Sequence, residues 1–468
     1  MRWRWVRESS RPLSLPKKVF VFGGFTLLIT LVLMLAVTGV GPYDFPAASR
    51  SLPDVIAISQ SLGLPMTEDE VEEPVEDDQN AALVVVPLAE ALDEIVDADL
   101  RDRAVSRLLR EESLNEIRSI VDDGANLLDA IQAALDHRSG WFIDKDLEHG
   151  PNLLYPEVGH VQRACDVLRC RAYVRAIDGD VDGALRDLAT CRKLAQYQGS
   201  QFGFIGLLAA VNIEGRTLMA STLLAHLWQA DETALRSLRD MLADTYVPID
   251  PRPAMRHEFF NGVAVARNLD RYGGLKVVLT IGSESHGKPF VFDSIGLQRE
   301  GLPKRMWERA FLARFAEVLN AGYTPIKDDP HPPLDWTKPM VDELFQLDFD
   351  QELSSRYAFI MVPVLSQLDR RMAAVDARQA LARAYVVALI HKANHGQLPL
   401  GLEELDGDYL DPFNGAPLKF KHTADGFRIW SVDADGHDDD GVFRWEAPGR
   451  DHDLVGTFPP LPEEPPAP

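Results

Sequence analysis

Five aspartates, Asp433, Asp435, Asp438, Asp439 and Asp440, fall within eight consecutive positions, with Gly436 among them. Calcium takes six to eight hard oxygen ligands at flexible geometry, which clustered carboxylates and backbone carbonyls can supply. Like charges this close repel, and a bound cation would offset that cost. Calcium is therefore the expected cofactor and these five residues its expected ligands, against the plainer reading of a solvated acidic loop.

Three other groupings approach catalytic patterns and stop short. His257-Glu258-Phe259-Phe260-Asn261 follows the zinc-protease helix until Asn261 stands where the second histidine belongs. His391 and His395 share a helical face at a spacing that can chelate zinc, but no third ligand accompanies them. The run Gly282 to Lys288 matches part of a phosphate-binding loop, and Pro289 then replaces the hydroxyl residue that would hold magnesium. No Gly-x-Ser-x-Gly elbow or dinucleotide fingerprint occurs. The chain reads as non-enzymatic. A metal-dependent envelope hydrolase built on His257, Glu258 or the His391–His395 pair is the alternative.

Of the 468 residues, 46% are hydrophobic and 26% charged, a globular composition. A formal charge of -24 argues against a nucleic-acid partner, because phosphate contacts need clustered cations. The charge is unevenly spread. Residues 1–18 carry Arg2, Arg4, Arg7, Arg11, Lys17 and Lys18 against Glu8 alone, whereas 19–40 hold no charge at all. Twenty-two helical residues span about 33 Å, enough for a hydrocarbon core of about 30 Å. The expected element is a single transmembrane signal anchor over 19–40, in the inner membrane. By the positive-inside rule residues 1–18 stay in the cytoplasm and the bulk is exported to the periplasm or beyond. The partners expected are that membrane and other envelope proteins.

Residues 41–80, with Pro42, Pro46, Pro53, Pro65 and Pro74 and a run of acids from Glu68 to Asp78, read as an extended tether. Residues 81–250 are helical in pattern. The clearest unit runs from His160 to Tyr197, where one apolar face (Val161, Ala164, Leu168) is followed by Gly179-Asp180 and then a second (Leu185, Leu188, Leu194). Phe204–Leu227 is very apolar, but Glu214 and Arg216 make it a buried core helix. Cys165, Cys170 and Cys191 fall on the hairpin; a Cys170–Cys191 bridge and buried packing as small hydrophobes are both open. Residues 251–363 are mixed and mainly helical, with helices over Ala254–Leu269 and Leu302–Leu319 and a short strand over Leu275–Ile281. Residues 364–446 hold a long helix from Val364 to Asn394, then short alternating segments at Leu418–His422 and Phe427–Val432. Residues 447–468 form a Pro-rich tail expected to be disordered.

Two stretches carry resemblances. Gly179-Asp180-Val181-Asp182-Gly183-Ala184-Leu185 resembles the turn of a tetratricopeptide repeat, over one hairpin only. Asp411-Pro412-Phe413-Asn414-Gly415 and Ser431-Val432-Asp433-Ala434-Asp435-Gly436 resemble the C-terminal turn and calcium loop of the major pseudopilins of type II secretion. That likeness covers 50 to 80 residues and implies a long helix, a short antiparallel sheet and calcium at the loop. Pseudopilins join their membrane helix directly to this sheet, whereas several hundred residues intervene here, and no prepilin peptidase site precedes the apolar span. The whole layout is also similar to uncharacterised bacterial membrane-anchored proteins. The expected fold is mainly α: a transmembrane helix, a solenoid-like body of helical hairpins, and a small α+β module with a short antiparallel sheet. The expected role is a scaffold or assembly component of the cell envelope, related to secretion.

Overall fold

The computed structural model describes residues 45–96, 114–148, 154–267, 302–329, 334–346, 368–424, 426–434, 436–441 and 454–458. The apolar span 19–40, the strand expected over Leu275–Ile281 and the Gly282–Lys288 loop lie outside them. The protein is mainly helical with a small three-stranded antiparallel sheet. Among the described residues the helices are α1 (Phe45–Ser61), α2 (Ala82–Ile95), α3 (Leu114–His137), α4 (Pro156–Ile177), α5 (Val181–Ser200), α6 (Gly203–Leu227), α7 (Glu232–Asp244), α8 (Arg252–Arg267), α9 (Leu302–Tyr323), α10 (Lys338–Gln346) and α11 (Leu368–His395). None of them is long and apolar enough to cross a membrane.

Local chemistry sets the helix ends. Pro156 opens α4 at a position where no N–H is required. Gly179, at φ 81°, closes it, and the Asp180 carboxylate accepts from Gly183 N–H to cap α5. Asp231 caps α7 in the same way through Ala234 N–H. At the start of α6 the preceding residue is Phe202 in a left-handed conformation, which offers no capping oxygen. Glu258 of α8 supplies one instead, accepting from Phe204 N–H at 3.0 Å.

Each helix from α2 to α6 packs on its successor, and α2 also meets α4, α4 meets α6, and α6 meets α8. Buried ion pairs cross these contacts. Asp187 of α5 accepts from Arg171 Nη2 of α4 at 2.7 Å and from Gln132 Nε2 of α3 at 2.8 Å. Arg192 of α5 donates to Glu214 of α6 and to Gln379 of α11. Among the described residues one continuous apolar core runs from Val55 to Ile429.

Two expectations are corrected. Residues 45–80 are not an extended tether: α1 packs on α9, Val55 and Leu64 are buried, and Ser59 Oγ donates to Asn320 Oδ1 at 3.0 Å. The acidic run beyond it is held by specific acceptors rather than stretched by repulsion, since Glu68 accepts from Leu147 N–H and Glu72 from Gln201 Nε2, both at 2.6 Å. The Pro-rich tail also contains structure, for β3 (Leu454–Phe458) pairs antiparallel with β2 (Phe427–Ser431), which pairs with β1 (Lys419–His422). Phe427 and Ile429 are fully buried, and the Phe427 ring lies 5.4 Å from the ring of Tyr385 on α11.

Candidate functional site

A cavity of about 350 Å3 opens between α11, the α7–α8 connection and the C-terminal module. One wall is a single face of α11, where Asp369, Asp376 and Arg383 recur at a seven-residue spacing that returns to the same side every two turns. Tyr246 and Ile249 come from the connection, Trp336 from the turn before α10, and Pro412 from the module.

Asp369 is buried, and its Oδ2 accepts from Thr337 Oγ1 at 2.6 Å while Oδ1 accepts from Arg370 N–H at 2.7 Å. Burial outweighs these bonds and raises its pKa above the usual carboxylate range. The Tyr246 hydroxyl donates to Asp376, and burial, reinforced by the Asp376 charge, raises the phenol pKa. Gln379 is already spent, donating to Leu242 O and accepting from Arg192. Arg383 is half-buried, and among the described residues its guanidinium has no hydrogen-bond or ion-pair partner. The cavity thus offers carboxylates toward one end of an apolar wall and, toward the other, a cation with no hydrogen-bond or ion-pair partner among the described residues.

The acidic loop is arranged differently. Asp411, 1% exposed, is its organising carboxylate, accepting from Ser431 Oγ, Val432 N–H and Phe413 N–H at 3.0, 2.9 and 3.0 Å. Asp433 is buried at φ 53°, and its Oδ1 accepts from Ala434 N–H. Asp438 accepts from Trp430 Nε1 at 2.9 Å and faces Lys419 Nζ at 3.7 Å; the indole hydrogen bond first, and the lysine after it, hold its pKa below the usual range. Asp440 lies 3.9 Å from Lys421 Nζ, Asp439 is half-buried, and Asp435 falls outside the described residues. Among the described residues no three His, Cys, Asp or Glu side chains converge at a metal-holding separation.

His257 and Glu258 are brought together inside the protein rather than at its surface. Burial lowers the His257 pKa to about 4 and raises that of Glu258. Among the described residues, His257 Nε2, Asn261 Oδ1 and the Tyr155 hydroxyl are buried without hydrogen-bond partners. His391 and His395 stack at 4.2 Å in the last turn of α11, with Glu404 Oε2 3.8 Å from His391 Nε2. The three thiols are free and buried, and Cys191 Sγ lies 3.5 Å from Cys165 O, so no Cys170–Cys191 bridge forms.

The wall of the cavity escaped sequence reading because Asp369, Asp376 and Arg383 look like an ordinary solvated stripe. The seven-residue recurrence was the available signal, but only the fold brings Tyr246 and Trp336 to it. No protein-family model, curated protein or solved structure matches the chain.

Proposed function

We propose that the protein is a single-pass, membrane-anchored scaffold of the cell envelope, its N-terminus cytoplasmic and its helical body exported, serving assembly rather than catalysis. The observation that carries the reading is the packing of α2 on α4, α4 on α6 and α6 on α8, alternate helices touching as in stacked helical hairpins. Such solenoid-like layering builds an extended face for partners. Large apolar side chains stand exposed on this same set of helices: Leu83 and Ile95 on α2, Ile177 on α4, Ile205, Met219 and Leu227 on α6. On this reading, these exposed apolar residues are the positions a docked partner would cover.

The pseudopilin-like ending supports a secretion-related setting and a separable calcium role for Asp433, Asp435, Asp438, Asp439 and Asp440. Calcium would have to draw Asp438 from Trp430 and Lys419. A rise in melting temperature on adding calcium to the full chain, lost in Asp435→Ala, is the expected result; no rise ends the calcium role.

Export is tested by fusing a reporter active only outside the cytoplasm after Pro468. Activity in intact cells is expected, and a fusion active only on the ribosome side overturns the envelope reading.

A further inference from the structure

We propose that the cavity beside α11 binds a small zwitterion of amino-acid or dipeptide size, taking its carboxylate at Arg383 and its ammonium at Asp376. Its volume of about 350 Å3 lies in the range of small-molecule sites. The charges are built in rather than incidental. In a chain of net charge -24, a half-buried arginine with no ion-pair partner among the described residues is an open receptor for an anion. Its planar fork can hold a carboxylate by two parallel hydrogen bonds.

The carboxylates at the other end set the second half of the ligand. Asp376 lies two helical turns from Arg383, about 10 Å along the axis, and the long arginine side chain shortens that gap toward the charge separation of a short peptide. An anion without an ammonium would meet uncompensated repulsion from Asp376. An amine without a carboxylate would leave the guanidinium unmatched. Trp336, Ile249 and Met372 offer the apolar wall against which the body of such a ligand would rest. The inference is independent of whether the helical array docks a protein.

The test is calorimetric titration of the full chain with leucine, dileucine, isoamylamine and isovalerate. At least one of the zwitterions is expected to bind, and the two single-charge analogues at least tenfold more weakly; the better of leucine and dileucine tells free amino acid from peptide. Arg383→Met and Asp376→Asn are each expected to weaken binding at least tenfold with far-ultraviolet circular dichroism unchanged. Ala373→Leu, which fills the cavity without touching a charge, is expected to abolish it. Either analogue binding as well as the zwitterions, no ligand binding at all, or undiminished binding by folded Ala373→Leu overturns the proposal.

Discussion

Arg192 on α5 donates through Nη2 to Gln379 Oε1 on α11 at 2.9 Å, across 187 positions of sequence. The same guanidinium donates from Nε to Glu214 Oε1 at 2.8 Å, so one buried cation joins three helices. Burial still raises the Glu214 pKa despite its partner. A buried pair broken on one side leaves a charge uncompensated, whereas replacing both members with apolar groups of similar size is often near neutral. Arg192→Ala should therefore cost about 3–5 kcal/mol, and the double replacement Arg192→Met with Glu214→Leu much less. Urea unfolding monitored by circular dichroism checks this; equal losses in the two proteins would contradict it.

The contact of α8 with α9 passes through Gly262. A Cβ built there would lie 2.0 Å from Phe315 Cε1, and that ring is itself buried. Gly262→Ala should destabilise the fold by about 1–3 kcal/mol, and Phe315→Leu in the same chain should recover part of the loss. A neutral Gly262→Ala in a thermal melt would show that the two helices are not held this close.

Acidity should strengthen the docking of residues 62–80 through Glu72. Burial first, and then the neighbouring Glu68 charge, push its carboxyl up to about 7, against the opposing hydrogen bond from Gln201; Tyr155 also faces it. The folded chain therefore keeps a proton that the unfolded chain releases above its ordinary pKa of 4.5. The stability that Glu72 contributes is present below that value and lost as pH rises through about 7. Relative to the natural chain, Glu72→Gln should gain up to about 3 kcal/mol between pH 4.5 and 8. Urea titrations at the two ends of that range decide it, and a difference independent of pH would contradict it.

The thiols should be inert in the folded protein. Cys165, Cys170 and Cys191 are fully buried, and burial pushes the Cys170 thiol up to about 12. Alkylation of the native protein should label none of the three, and alkylation after denaturation all three. A native protein that withholds two thiols even when denatured without reductant would reveal a bridge.

The hairpin of α4 and α5 was readable because its signals are local: the apolar stripes run to Gly179-Asp180, where a left-handed glycine and a capping aspartate sit side by side. The core position of α6 was readable for the same reason, from Glu214 within a stretch otherwise long enough to span lipid. Docking of residues 45–80 was not, because its anchors are single residues, Val55 and Leu64, scattered among prolines and answered by α9 far along the chain. Strand β3 was hidden likewise: five residues inside a Pro-rich tail gain their partner only when β2 is already in place. The cavity depended on distant segments meeting, which periodicity does not encode.

The scaffold reading is tested most directly by photo-crosslinking in intact cells from Met219, which stands 64% exposed on α6. The account predicts a discrete protein adduct, absent when the crosslinker replaces the buried Ala210 and lost when Ile205, about four turns away on the same face of α6, is changed to Glu. An adduct that survives Ile205→Glu unchanged, or none beyond lipid, would contradict it.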